Sequence, residues 1–173
     1  GEQDMRKMGG LRKYMPVTFV TMTVALLALV GVVPLSGFFS KESILVAAEK
    51  AANGDAQVSS AVGWLVLVVA VLTIAVTAAY VVRLWLMTFG GSRRSNSQVH
   101  EAPPLMKWPL VALAVPTLLL GFLGLSAAWL PTWMQPNATM VTEPTALTPQ
   151  PLTIVLSLIA VTVGAILAWV GSR

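Results

Sequence analysis

Long apolar stretches alternate with short polar ones along this chain. Four of the stretches reach the roughly 17 to 25 apolar residues that a helix needs to cross a bilayer core of about 30 Å. They cover residues 16–49, 58–89, 108–130 and 151–170. This pattern predicts an all-α integral membrane fold with four transmembrane passes.

The first stretch is longer than a single pass requires. Residues 16–49 would form a continuous helix of about 50 Å at 1.5 Å per residue. Pro34 cannot donate a backbone hydrogen bond to the preceding turn, and Gly37 adopts backbone angles that other residues avoid. We therefore predict that the first pass is a broken helix, with the break at Pro34 and Gly37.

The segments that connect the passes differ in their content of Lys and Arg. Residues 1–15, 90–107 and 171–173 hold most of these basic residues, whereas residues 50–57 and 131–150 hold one. Short cytoplasmic loops carry an excess of Lys and Arg, so the basic segments are predicted to be cytoplasmic and the other two to form outer loops. Both ends of the chain are therefore expected on the cytoplasmic side.

Composition narrows the class of protein further. Charged residues make up 10% of the 173 residues, against about 25% in ordinary soluble domains. The net charge is +4, but the basic residues sit in short loops rather than in a stripe with aromatic residues, so no nucleic-acid partner is expected. With no cysteine and one histidine, the chain lacks the ligands for iron–sulfur or histidine-rich metal centres, and we expect no cofactor on it. It opens on a polar stretch without a signal-peptide pattern, which we interpret as part of a longer protein.

Lys41 is the main candidate for a functional residue, because it follows the predicted break in largely apolar surroundings. A lysine inside a membrane helix costs roughly 2.5 to 3.5 kcal/mol on insertion scales and is usually retained for a transport pathway or a partner. Unwound backbone near the membrane midplane lines hydrated cavities and marks ion sites in transporters. The alternative is that Lys41 snorkels to the outer interface from a membrane helix that ends near Pro34. The residues alone leave both interpretations open.

The other polar candidates carry weaker signals. Glu42 is a poor partner for Lys41 because adjacent helical residues do not face each other, so any partner of Glu42 lies elsewhere. Ser36 and Ser40 could support a water chain for proton translocation, although hydroxyls in membrane helices more often bond local carbonyls. Arg83 lies one turn from the end of the second pass, where snorkelling is favoured over an ion pair.

Several segments resemble the antiporter-like subunit L family of NADH-quinone oxidoreductase, respiratory complex I. The resemblance is carried by residues 2–13 (EQDMRKMGGLRK), 15–19 (MPVTF) and 34–42 (PLSGFFSKE), in order and at the expected separation, and less specifically by residues 100–103 (HEAP) and 107–110 (KWPL). The rest of the chain is similar to the family in hydropathy only.

This resemblance implies that the chain is the C-terminal portion of a proton-translocating subunit in the membrane arm of a bacterial inner-membrane complex. In that family the lysine of the Phe-Phe-Ser-Lys motif lies on a broken helix in the proton route, which favours Lys41 as a proton-translocation site. Ser43 stands where the family usually has a second acidic residue. The implied partners are the remainder of the subunit, other membrane-arm subunits and the lipid bilayer. NADH, FMN, iron–sulfur clusters and quinone are implied elsewhere in the complex.

Two other functions remain open at the level of sequence. The large subunit of a multisubunit cation/proton antiporter shares the Phe-Phe-Ser-Lys region, although residues 2–4 favour complex I. A purely structural membrane segment would instead place Lys41 in solvent at the interface.

Overall fold

The computed structural model describes residues 4–54, 58–94, 99–125 and 151–172, without the side chains of residues 123–125. A short 3₁₀ turn at Leu11–Lys13 precedes five α-helices, and the described residues contain no strand. The helices are α1 (Pro16–Val30), α2 (Ser36–Ala52), α3 (Ser60–Phe89), α4 (Pro104–Leu125) and α5 (Pro151–Gly171). The expected all-α membrane fold is confirmed.

Three of the five described helices are long and apolar enough to cross a membrane by themselves, one fewer than the expected four passes. Within the described ranges, α3, α4 and α5 are each long and apolar enough to cross a membrane, while α1 is a shorter apolar helix. At 1.5 Å per residue, α1 and α2 measure about 22 Å and 26 Å, so neither spans a core of about 30 Å alone. Any further pass must come from α1 and α2 taken together.

The two short helices lie end to end along α3 and run antiparallel to it. Phe19 of α1 packs on Trp85 and Phe89, with ring centroids 5.8 and 5.2 Å apart. Further along, Val30 shares a buried cluster with Ala78 and Val81, and Leu45 of α2 shares one with Ile74. At the end of α2, Gly63 meets the backbone of Ala51 and Ala52. The pair α1 and α2 therefore covers the length of α3 as one interrupted element.

The remaining two helices pack on α3 and on this pair. α5 packs along α3 in the same direction, with Gly164 against Ala75 and Ala78 and with Trp169 near Arg83. α4 lies along α1, and its Gly121 abuts the backbone of residues 34–35. The outward faces stay apolar: exposed side chains include Leu65, Leu72, Val76, Leu113 and Ile166. Such surfaces suit lipid or neighbouring membrane helices.

Some helix ends differ from the predicted boundaries. α4 begins at Pro104, so the predicted loop over residues 90–107 is too long; proline fits the first turn of a helix, and the polar Lys107 had masked this start. α2 continues to Ala52, since its alanines favour helix where hydropathy has already fallen. α3 begins at Ser60 rather than residue 58, and α5 ends at Gly171 rather than residue 170. The predicted loop at residues 131–150 and the end of the third pass after residue 125 lie outside the described residues.

Candidate functional site

The interruption between α1 and α2 begins earlier than the sequence indicated. Gly31 adopts the left-handed conformation, with φ 89°, and its N–H donates to the carbonyl of Ala28 at 3.2 Å. The next N–H, from Val32, donates to Leu27 at 3.1 Å. These two bonds form the Schellman arrangement that commonly ends a helix at glycine. The helix therefore stops at Val30 because of Gly31.

The two residues assigned to the break have different places in it. Pro34 lies within the gap, after a cis Val33–Pro34 bond. Gly37 lies inside the first turn of α2, which corrects its assignment to the interruption itself. The role of Gly37 is close packing, because a Cβ there would lie 2.9 Å from the carbonyl carbon of Ala28 and closer still to its oxygen. Only a glycine lets the ends of α1 and α2 approach this closely.

Lys41 completes the end of α1. An α-helix leaves its last four carbonyls without helical partners, and the Schellman bonds use those of Leu27 and Ala28. The Lys41 Nζ donates to the other two: to the carbonyl of Leu29, and to that of Val30 at 2.9 Å. The C-terminal end of a helix also carries a partial negative charge that favours a cation. A half-buried ammonium is thus held at the carbonyl end of α1, on the α2 side of the gap.

The depth of this ammonium can be judged along α3. Tryptophan prefers the two membrane interfaces, and Trp64 and Trp85 are separated by about 32 Å of helix. Val30, which accepts from Lys41, packs against Ala78 and Val81. These residues lie about 6 to 10 Å from Trp85 along the helix axis, on the Trp64 side. The nitrogen therefore lies between the two tryptophan levels, and α2 continues beyond it toward the Trp64 end.

Glu42 faces a different helix from Lys41. It is only 4% exposed, and one of its carboxylate oxygens accepts from the hydroxyl of Thr153 on α5. Its other oxygen, Oε2, is buried with no hydrogen-bond partner among the described residues. Oε2 of Glu49, two turns further along α2, is likewise buried with no hydrogen-bond partner among the described residues. Buried polar atoms left unpaired are costly, so these oxygens are positions where a bound water would be stabilised.

The remaining predicted candidates lie apart from this pair. Ser40 is exposed and donates to the nearby carbonyl of Gly37 at 3.2 Å, while Ser36 is half-buried at the start of α2. Arg83 is exposed near the C-terminal end of α3, where it lines an open pocket of about 420 Å³ with Trp169 and Ser172 on the α5 side. The structure therefore brings Lys41 and the end of α1 together, and leaves Arg83 outside the site.

A contact that the sequence reasoning missed lies at the opposite end of α1. The carboxylate of Glu101, in the segment before α4, accepts from the N–H of Val17 at 2.9 Å and from the hydroxyl of Thr18 at 2.7 Å. It also accepts from the N–H of Ala102 at 3.3 Å. Glu101 thus caps α1 from a distance of more than eighty residues along the chain, which hydropathy and periodicity cannot reveal. The one sequence signal was its place in the His-Glu-Ala-Pro segment.

Hydrogen bonding sets the ionisation of Glu101. Desolvation acts to raise the pKa of this carboxyl, but the bonds from Thr18, Val17 and Ala102 together outweigh it. The net effect is a pKa below the ordinary value of 4.5, so the group is a carboxylate at neutral pH. A negative charge at a helix N-terminus is the favourable sign for the helix dipole.

Comparison with known proteins places these features in a family. Residues 1–54, which include both α1 and α2, match the family described as NADH:quinone oxidoreductase/Mrp antiporter, TM. The chain is 41% identical over 170 residues to NADH-quinone oxidoreductase subunit L of Mycobacterium tuberculosis, covering 97% of this chain and 26% of that protein. It is 38% identical over 144 residues to NAD(P)H-quinone oxidoreductase chain 5 of a Picosynechococcus species, covering 70% of this chain and 20% of the relative.

A third relative has a different electron donor in its name. The chain is 40% identical over 129 residues to F(420)H(2) dehydrogenase subunit L of Methanosarcina mazei, covering 71% of this chain and 18% of that protein. The chain thus spans about a quarter or less of the length of these relatives. The matched residues 1–54 contain the interrupted helix pair, and the apolar helices are those of a membrane protein. The chain belongs to the family of antiporter-like membrane subunits that includes subunit L of NADH-quinone oxidoreductase.

Proposed function

We propose that this chain is part of a proton-translocating membrane subunit of an NADH:quinone oxidoreductase, in which quinone reduction elsewhere in the complex drives proton pumping. The observation that carries the proposal is the Lys41 ammonium, which donates to the carbonyls of Leu29 and Val30 at a helix break. This break lies between the levels of Trp64 and Trp85. The family match and the names of the relatives support the assignment.

The site has the chemistry for reversible proton binding. The two carbonyls and the helix dipole stabilise the ammonium form of Lys41, whereas its apolar surroundings penalise a charge. Because these effects oppose each other, an approaching or departing charge on the rest of the subunit would shift the balance and release or capture a proton. Glu42, which is buried and bonded to Thr153, is a candidate for the next group in such a route.

The wider setting is proposed on the same basis. The partners would be the remainder of the subunit, further membrane-arm subunits and lipid, in a bacterial inner membrane with both ends of this chain cytoplasmic. The chain would act as the translocase part of the enzyme and carry no cofactor. FMN, iron–sulfur clusters and the NADH and quinone sites would belong to other subunits.

The decisive experiment removes the amine from the intact complex. Lys41→Met in the parent oxidoreductase, reconstituted into vesicles, is expected to lower the protons pumped per NADH oxidised while the complex still assembles. The matched control is Lys50→Met, which makes the same change in the last turn of the same helix and should leave the ratio as in the wild type. A wild-type ratio in the Lys41 variant would refute the proposal.

The description of the matched family includes the Mrp antiporter, so a cation/proton antiporter is the second candidate. Both functions could use the same lysine, but only the antiporter would exchange sodium for protons without NADH oxidation. Sodium-driven proton movement in vesicles that lack NADH, abolished by Lys41→Met, would favour the antiporter. NADH-driven pumping without sodium exchange would favour the oxidoreductase.

A further inference from the structure

The His-Glu-Ala-Pro segment plays no part in the function proposed above, yet its glutamate bonds both Val17 and Thr18 of α1. We propose that Glu101 is a positioning residue, which anchors the N-terminal end of α1 to α4 and thereby fixes the carbonyl end that receives Lys41. The part of this inference that concerns Lys41 rests on the proposed function.

The anchoring begins with the backbone of α1. Pro16 occupies the first helical position and has no N–H, so Val17 and Thr18 offer the first donors. Glu101 takes the N–H of Val17 on one carboxylate oxygen and the hydroxyl of Thr18 on the other. The third bond, from the N–H of Ala102, fixes the glutamate to its own segment just before α4 begins. One carboxylate thereby links the start of α1 to the segment that leads into α4.

The far end of the same helix pair is also closely fitted. Gly121 of α4 faces the gap that follows α1, where a Cβ would lie 2.7 Å from the Cα of Leu35 and 3.0 Å from its carbonyl carbon. Between the two ends, α1 and α4 leave a groove of about 260 Å³, lined by residues such as Thr21, Met22, Ala114 and Thr117. The contacts at the two ends therefore contribute to the alignment of α1 on α4.

A displacement at one end of α1 reaches the other. The helix has 15 residues and a length of about 22 Å, and a hydrogen-bonded helix of this size moves as a unit. The bond from Lys41 Nζ to Val30 measures 2.9 Å, and N–H···O bonds are normally 2.7 to 3.2 Å long. A shift of α1 by about half an ångström would therefore stretch this bond beyond that range or force the Lys41 side chain into another conformation.

The test compares Glu101→Ala, Glu101→Gln and Thr18→Val in the parent complex, with His100→Gln as the neighbouring control because His100 is exposed. Amide hydrogen exchange in the peptide that contains Val17 measures the cap directly. Glu101→Ala should raise this exchange by roughly fivefold, the factor expected for losing a helix cap. Glu101→Gln keeps one acceptor oxygen and should restore most of the protection. His100→Gln should match the wild type.

Protons pumped per NADH oxidised is the second readout. Glu101→Ala is expected to lower this ratio at least twofold, with Glu101→Gln between it and the wild type. Thr18→Val removes one donor while leaving the carboxylate, so it tests the same contact with milder disturbance if Glu101→Ala fails to assemble. Adding Glu101→Ala to Lys41→Met should cause no further loss, because a positioning residue acts through the lysine.

The two proposals fail in different ways. Wild-type exchange at Val17 in Glu101→Ala would overturn the anchoring itself, whatever Lys41 does. Raised exchange with an unchanged pumping ratio, in a complex whose ratio does fall with Lys41→Met, would overturn the positioning role alone. An unchanged ratio with Lys41→Met would overturn the proposed function and leave the exchange result to stand as evidence of the anchor.

Discussion

Gly37→Ala tests how closely the carbonyl end of α1 and the start of α2 must approach. The new methyl group would lie 2.9 Å from the carbonyl carbon of Ala28, whereas ordinary contact begins near 3.4 Å. The two helix ends must therefore separate by more than about 0.5 Å, since the carbonyl oxygen is closer than the carbon. Starting from 2.9 Å, the bond from Lys41 to Val30 would then exceed the normal range of about 2.7 to 3.2 Å.

The energetic terms indicate which assay is decisive. Overpacking costs about 1 to 3 kcal/mol, but replacing glycine by alanine in a helix returns up to about 1 kcal/mol. Because the obstacle is the backbone of Ala28 rather than a flexible side chain, the overpacking cost outweighs this gain and stability should fall. A hydrogen bond to a charged group is worth about 1.5 to 3 kcal/mol, so losing one changes the population of the held ammonium by about tenfold or more. We expect both protons pumped per NADH oxidised and the thermal midpoint of the complex to fall.

The matched control is Gly171→Ala at the end of α5, where nothing lies within 4 Å of the added carbon. It should leave both quantities unchanged. If Gly37→Ala pumped and unfolded like Gly171→Ala, close packing at the break would not control the lysine, and the reasoning would be refuted.

Two further predictions concern the buried and the capping carboxylates. Thr153→Val removes the donor to Glu42, whose second oxygen is unpaired among the described residues. It should lower the free energy of unfolding by about 1 to 3 kcal/mol, measured by thermal unfolding. The control Thr162→Val, on the exposed face of α5, should cost little, and equal losses in the two variants would contradict this reasoning. Because the pKa of Glu101 is lowered on folding, its stabilisation is present above about pH 4.5 and is lost as pH falls through the lowered pKa. Glu101→Gln should reduce the acid sensitivity of the unfolding midpoint, and identical slopes would contradict the cap.

Much of the fold could be predicted because hydropathy is a local property. A run of apolar residues long enough to cross a bilayer is visible in the sequence, and so is a proline that cannot continue a helix. The apolar stretches over residues 58–89 and 151–170 coincide with the helices α3 and α5 within two residues at each end. The start of α4 at Pro104 lies four residues before the predicted start, because proline and lysine at its first turns have the composition of a loop.

The place of the break was only partly visible in the sequence. Pro34 indicated an interruption, but Gly31 ends α1, and one glycine among apolar residues gives no sign that it will adopt φ 89°. Gly37 was predicted to break the helix because of its free backbone angles, yet its role is close contact with the backbone of Ala28. The same residue type serves two purposes here, and only the neighbouring backbone distinguishes them.

From the sequence alone it follows that this is a helical membrane protein, that its first apolar stretch is interrupted, and that a lysine follows the interruption. The tertiary structure decided what each charged group meets: Lys41 the end of α1, Glu42 the hydroxyl of Thr153, and Glu101 the start of α1. The last two contacts join residues separated by 111 and 83 positions. Such pairs depend on how whole helices pack against each other, and local patterns of polarity carry no information about that packing.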